Sequence, residues 1–166
     1  MVEIRFAEIS DSEAIAKLLC GSFGRFALNY TPEALKAVTP STDEIAARLD
    51  EGPVWVAVSD GQIVGSVSAL PEPEWLYIRS MAVAPEAQGL GIGNSLLLVV
   101  ESYAFEKGFD RLFLYTTYFS QRAIRLYEKN GFYKVRDTTA DEWFGTPGLA
   151  MEKNIGRNIK QNVVGS

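Results

Sequence analysis

The chain has 166 residues, 47% of them hydrophobic and 22% charged, a mix that fits one globular domain with a sizeable core and excludes a disordered chain. The formal net charge is -5 and the pI about 4.8, which argues against nucleic acid as the main partner, since phosphate binding needs a basic surface. There is no histidine and one cysteine, Cys20, so Ser-His-Asp and Cys-His catalysis, most metal sites of the zinc type and any internal disulfide are excluded.

Val2 to Ala7 alternates as a first strand, and its Glu3, with Glu8 just beyond, does not fit a signal peptide. The longest strongly apolar run, Leu96 to Val100, is far too short to cross a bilayer, so a cytoplasmic protein with no membrane partner is the default expectation. Ser10 and Glu13 fit a capping box ahead of a helix through Ala14, Ile15, Leu18 and Leu19. After an aromatic, glycine-containing segment, Thr31-Pro32-Glu33 starts a second helix, and Ser41 with Glu44 starts a third that ends near Gly52.

Pro53 to Ser59 and Gln62 to Leu70 are two strands parted only by Asp60-Gly61, a tight-hairpin signal. Trp75 to Ala84 predicts a longer strand that Pro85 ends. A long helix follows, with Ile92, Leu96, Val99, Val100, Tyr103 and Ala104 at helical spacing and Gly108 at its close. Arg111 to Thr117 predicts a buried strand. Ser120 caps a helix through Asn130, and Phe132 to Arg136 and Leu149 to Lys153 are the last two strands. The order β-α-α-α-β-β-β-α-β-α-β-β mixes hairpins with βαβ crossovers. It predicts one α/β (α+β) domain on a mixed sheet over 1–154, with a polar, flexible tail over 155–166.

The clearest chemical feature is Gln88-Gly89-Leu90-Gly91-Ile92-Gly93, between a strand and the long helix. A helix N-terminus offers unpaired N–H groups and partial positive charge, and glycines let the backbone approach a pyrophosphate closely. A dinucleotide-binding loop of the Rossmann type is disfavoured, because it expects Gly-x-Gly-x-x-Gly after the first strand, and here the spacing is Gly-x-Gly-x-Gly in mid-chain. A tight strand-to-helix turn without a ligand is the alternative.

The second constellation is Ala123-Ile124-Arg125-Leu126-Tyr127-Glu128-Lys129-Asn130-Gly131-Phe132. Taken with Gln88, Gly91 and Gly93, it resembles the GCN5-related N-acetyltransferase (GNAT) family. That family's pattern is Gln/Arg-x-x-Gly-x-Gly/Ala after a central strand and, on a later helix, Asn-x-x-Ala-x-x-Leu-Tyr-Glu-Lys-x-Gly-Phe. The resemblance runs from about Val2 to Lys153 and is strongest from Met81 to Phe132. One position departs: Ser120 stands where the family often has Asn, and a plain N-cap competes with a cofactor contact there.

The resemblance implies acetyl-CoA as acyl donor and an N-acetyltransferase passing the acetyl group to a primary amine by direct attack in a ternary complex. Its central strands would splay around the donor. Main chain at Met81, Ala82 and Val83, the loop from Gln88 through Gly89, Leu90, Gly91, Ile92 and Gly93 to Asn94, Ser120 and Tyr127 would hold it. Tyr127 is the implied general acid, although its spacing with Ala123, Leu126 and Asn130 also fits a core position. Glu74, just ahead of the central strand, is a candidate base; its alternatives are a solvated strand entry or a water chain. Cys20 reads as packing rather than as an acyl carrier.

The acceptor, a small-molecule or peptide amine, would meet Phe23, Phe26, Tyr30, Trp143 and Phe144; Asp137, Asp141 and Glu142 read either as an acidic mouth suited to a cationic amine with an apolar part or, the favoured alternative, as an acidic surface loop. By alternation Arg79 shares a strand face with Tyr77 and Met81 and faces either an acceptor carboxylate or a core Asp. Dimers are common among proteins of this kind, so a homodimer is an expectation. The competing function is a non-catalytic acyl-CoA sensor or regulatory module.

Overall fold

The computed structural model describes residues 1–156. Seven strands form one sheet in the order β1-β2-β3-β4-β5-β7-β6. The strands are β1 (Val2–Phe6), β2 (Val54–Ser59), β3 (Gln62–Pro71), β4 (Leu76–Val83), β5 (Arg111–Thr117), β6 (Tyr133–Asp137) and β7 (Gly148–Asn154). Five α-helices accompany the sheet among the described residues: α1 (Ser12–Gly24), α2 (Pro32–Val38), α3 (Thr42–Glu51), α4 (Ile92–Glu106) and α5 (Gln121–Lys129). The element order is the one expected, and the sheet is mixed, with β4 and β5 parallel and every other neighbouring pair antiparallel.

Local chemistry explains several boundaries. Asp60 and Gly61 both have positive φ, 50° and 76°, the primed turn whose twist matches the strands it joins. Thr31 caps α2 by accepting from Ala34 N–H, and Ser41 and Glu44 form a reciprocal capping box on α3. The expected box at Ser10 and Glu13 is displaced. Glu8 and Asp11 form it instead, around a short 3-10 turn, and α1 begins at Ser12. Arg5 explains the shift: it grips Asp11 at 2.7 and 3.1 Å and anchors that turn to β1.

Each face of the sheet is covered. Ile92, Leu96, Val100 and Ala104 of α4 pack on one face with Leu76, Ile78, Leu112 and Leu114, and α5 adds Tyr127 to the same cluster. Ile15 and Leu19 of α1 and Ile45 of α3 cover the other face over Val54, Val56 and Ala82. Fully buried side chains such as Leu96 contribute most here, and truncating one to Ala costs about 2–5 kcal/mol. No helix among the described residues is long and apolar enough to cross a membrane.

Ile155 is only 7% exposed and its N–H donates to Asp110 O at 3.0 Å, so packed chain continues just past Asn154. Residues 157–166 of the tail expected over 155–166 lie outside the described residues.

One irregularity changes the central strand. Ser80 and Met81 of β4 stand opposite the single Val67 of β3, and Ser80 has φ 55°. This β-bulge slips the side-chain alternation by one. Leu76 and Ile78 therefore share the α4 face with Met81 and Val83, while Ala82 joins the opposite cluster. The expected common face for Tyr77, Arg79 and Met81 is corrected accordingly: the bulge separates Met81 from the other two.

Candidate active site

The β4–β5 pairing is short. Leu76, Tyr77 and Ile78 pair with Leu112, Phe113 and Leu114, and beyond Ile78 the β5-facing edge of β4 has no strand partner among the described residues. Ala84 N–H donates to Val64 O on the β3 side, so Val83 presents its main-chain groups to the open edge. Met81, two residues back, does the same by alternation. Gln88 Nε2 reaches Val83 O at 3.5 Å across that edge.

A cavity of about 520 Å³ opens where the strands part. Met81, Ala82 and Val83 form its floor, and Gln88, Gly89, Gly91, Ile92, Gly93 and Asn94 form one wall. Ser120 and Tyr127 close the side made by α5. Gly89 and Gly91 have φ of 84° and 79°, a region costly for a residue with Cβ. A Cβ at either would meet nothing within 4 Å, so the loop backbone borders open space.

Gly91 is the N-cap of α4, and no side chain caps it; the first turn of α4 carries no acidic residue. The unpaired N–H groups and the positive end of a 15-residue helix are therefore unclaimed by the chain itself. These residues fit a pyrophosphate.

Two candidate residues stand apart. Leu90 is 69% exposed and does not line the cavity. Glu74 lies beyond the opposite end of β4, its side chain 68% exposed and 3.8 Å from Arg111. The strand that carries Met81 toward the opening carries Glu74 away from it, so the structure does not bring Glu74 to Tyr127. Ser120 holds the N-cap position of α5 without a capping hydrogen bond; its hydroxyl instead lies 2.7 Å from Thr117 Oγ1.

Residues that sequence reasoning missed also line this cavity. Arg25 of the α1 end and Arg122 and Lys129 of α5 add positive charge, and Ser22 Oγ is buried without a hydrogen-bond partner. A signal was present for two of them: Arg122 and Lys129 are seven residues apart, two helical turns, on one face of α5.

A second cavity, of about 390 Å³, lies on the other side of Tyr127. Phe23, Met81, Ser120, Ala123 and Tyr127 belong to both, so the two open onto a common wall. Tyr30, Tyr77, Tyr115, Trp143 and Phe144 give the second an aromatic lining, whereas Phe26 faces the first. Tyr127 is 7% exposed, its hydroxyl makes no hydrogen bond among the described residues, and burial pushes its phenol well above the ordinary range. Burial likewise pushes Tyr77 up to about 12.

Of the three acidic residues near the last strands, Glu142 lines the second cavity, and Asp137 and Asp141 do not. Glu142 is held by Arg136 through two hydrogen bonds of 2.7 and 3.0 Å, chiefly for which its carboxyl lies at about 2. Asp137 pairs with Lys134 at 2.9 Å and accepts from the Tyr118 hydroxyl. Glu142 is the one carboxylate lining the second cavity among the described residues.

The architecture has known counterparts. A PaiA N-acetyltransferase from Thermoplasma acidophilum, solved in complex with coenzyme A, superposes with a TM-score of 0.80 at 22% identity, over 93% of this chain and 99% of that one. The uncharacterized N-acetyltransferase YjgM of Escherichia coli is 28% identical over 135 residues, 78% of this chain and 80% of the relative. Rat N-acetyltransferase 8 is 34% identical over 93 residues, 52% of this chain, and the match spans only 42% of that longer protein. The model of the acetyltransferase (GNAT) family matches residues 14–132, which include most of α1, both cavities' shared wall, the glycine loop and the Tyr127 helix. A chain with this sheet, this uncapped glycine turn and that match belongs to the GNAT acetyltransferase family.

Proposed function

We propose that this protein transfers the acetyl group of acetyl-CoA to a primary amine by direct attack, with donor and acceptor bound together. The observation that carries the reading is Tyr127, a buried phenol in the wall common to two cavities at the point where β4 and β5 part.

When bound, acetyl-CoA supplies an activated acyl group on a thiol of pKa about 8.5. The uncapped amides of α4 and the glycine loop hold the pyrophosphate, and Arg122, Lys129 and Arg25 add charge around it. Main-chain groups of Met81 and Val83, on the edge of β4 that β5 leaves unpaired, hydrogen-bond the extended arm and donate to the acyl carbonyl. The acceptor nitrogen forms its bond to the acyl carbon as the carbon–sulfur bond breaks. Tyr127, a buried phenol protonated at neutral pH, gives its proton to the departing sulfur, and the proton that the new amide nitrogen sheds returns to Tyr127 through water.

The amine must arrive neutral, and an alkyl ammonium has a pKa of about 10.4. Glu142 is too acidic and too firmly held by Arg136 to take that proton at neutral pH. Water therefore takes it, and no side-chain base is assigned. The Glu74 alternative has no geometric support.

Calorimetric titration with acetyl-CoA tests the reading on the wild type, Gly91→Ala and Gly91→Glu. The alanine isolates the backbone strain of a left-handed residue, about 1–2 kcal/mol. The glutamate adds bulk and negative charge at the helix N-terminus. Binding retained within a few-fold by Gly91→Ala and abolished by Gly91→Glu is expected, followed by acetylation of at least one member of an amine panel. A folded wild type that binds no acetyl-CoA overturns the proposal. Binding without transfer to any amine identifies a sensor module instead.

A further inference from the structure

We infer that the acceptor is itself an acid: an amino acid with an apolar or aromatic side chain, whose carboxylate is received by Arg48 and Arg79 in the second cavity. This rests on the acetyl-transfer reading and names its substrate class.

The lining of the second cavity is aromatic but its charge is positive. Arg48 of α3 and Arg79 of β4 both line it. Arg79 is paired at its outer end, Nη2 to Glu51 Oε2 at 2.6 Å, while its Nε is buried with no hydrogen-bond partner. Arg48 makes no ion pair among the described residues. Its single hydrogen bond, Nη1 to Ser80 Oγ at 2.8 Å, leaves the other guanidinium donors unfilled. Arg48 is partly buried with only longer-range carboxylates, Glu51 and Glu44, acting on it, so a directly bound anion favours it. The one carboxylate in the cavity, Glu142, is occupied by Arg136.

The bulge in β4 explains how the pair is positioned. Ser80 adopts φ 55°, a strained conformation for a non-glycine residue, and its hydroxyl is the atom that holds Arg48. The same bulge leaves Tyr77 and Arg79 on the cavity while Met81, which borders both cavities, packs with the α4 cluster. A carboxylate is the planar anion that a guanidinium fork accepts with two parallel hydrogen bonds.

Three acceptor chemistries can be compared on these terms. A polyamine brings more positive charge beside two guanidinium groups. A simple hydrophobic amine fills the aromatic wall and leaves Arg48 unmet. An amino acid places its carboxylate on Arg48 and Arg79, its side chain among Tyr30, Tyr77, Tyr115 and Trp143, and its nitrogen toward the Tyr127 junction. A volume of about 390 Å³ suits a small-molecule acceptor.

The test measures acetyl-CoA-dependent thiol release with L-phenylalanine, L-leucine and L-methionine, with their amides, with 2-phenylethylamine and with spermidine. The acids are expected to show kcat/KM about 100-fold above their amides, within the usual cost of truncating one side of a buried charge pair. In Arg48→Met the loss is expected in KM, so that the acid-to-amide ratio falls to within a few-fold of one. The wild-type ratio is decisive even if that variant folds poorly. Calorimetric titration of the CoA-loaded protein with L-phenylalanine and with 2-phenylethylamine separates the two readings. Acid binding lost in Arg48→Met but without turnover sustains the carboxylate site and removes the transferase reading. Amides or amines used as well as the acids, or no binding and no turnover of any acid, overturns the carboxylate site.

Discussion

Asn130 Nδ2 donates to Asn94 Oδ1 across 2.7 Å, joining the C-cap of α5 to the first turn of α4. The same Nδ2 also donates to Leu126 O at 2.8 Å. The helix bearing Tyr127 and the helix bearing the glycine loop are thereby fixed to each other. Removing this side chain should loosen the loop as well as the fold. Asn130→Ala is expected to lose about 1–2 kcal/mol of stability and to weaken acetyl-CoA binding several-fold. Denaturant unfolding and calorimetry on the same preparation check both.

Tyr127→Phe removes one oxygen from a ring that stays packed against Phe132, their centroids 5.7 Å apart. Since the hydroxyl makes no hydrogen bond among the described residues, stability should change by less than about 1 kcal/mol. Catalysis should fall by about 100-fold in kcat, the usual scale for loss of a general acid, with acetyl-CoA affinity unchanged. A kcat within two-fold of wild type would remove Tyr127 from the proton transfer.

The pH dependence of kcat/KM should follow the acceptor. Below the amine's own pKa the rate is expected to rise tenfold per pH unit, because only the neutral amine attacks and no side-chain base serves it. Two acceptors of different amine pKa should show inflections that move with the amine. An inflection fixed at pH 6–7 for both would reveal a protein base and contradict the water route.

Alkaline pH should destabilise the fold through two phenols. Tyr77 is raised to about 12 and Tyr127 is raised further, both chiefly by burial. A group whose folded pKa lies above its unfolded value of about 10 favours folding fully below that pH. The advantage is lost as pH climbs from 10 through 12. For Tyr77 the loss is on the order of 2 kcal/mol. Thermal melts between pH 9 and pH 11.5 should therefore fall steeply for the wild type and less steeply for Tyr77→Phe.

Much of the domain was legible because its signals are local. The Asp60-Gly61 turn, the caps at Thr31 and Ser41 and the glycines ahead of α4 each act within a few residues, through φ or through a single hydrogen bond. The helix containing Ala123, Leu126, Tyr127, Gly131 and Phe132 was legible as a motif, and its place beside the glycine loop followed from the family pattern. The position of Glu74 was not legible, because nearness along the chain says nothing about direction: an extended strand moves about 3.3 Å per residue, and it carries Glu74 away from the opening. The box at Ser10 failed for a related reason, since Arg5 on another element claimed Asp11.

By itself, then, the sequence determined the order of strands and helices, the tight turns and the uncapped glycine entrance to α4, since these depend on periodicity and backbone freedom over short spans. Only the tertiary structure decided that β4 bulges at Ser80, that Arg136 neutralises Glu142, and that Arg48 and Arg79 reach one cavity from a helix and a strand. Those outcomes depend on strand register and on charges brought together from distant positions in the chain. A one-residue slip in register sends every following side chain to the opposite face, and no local pattern records where the slip falls.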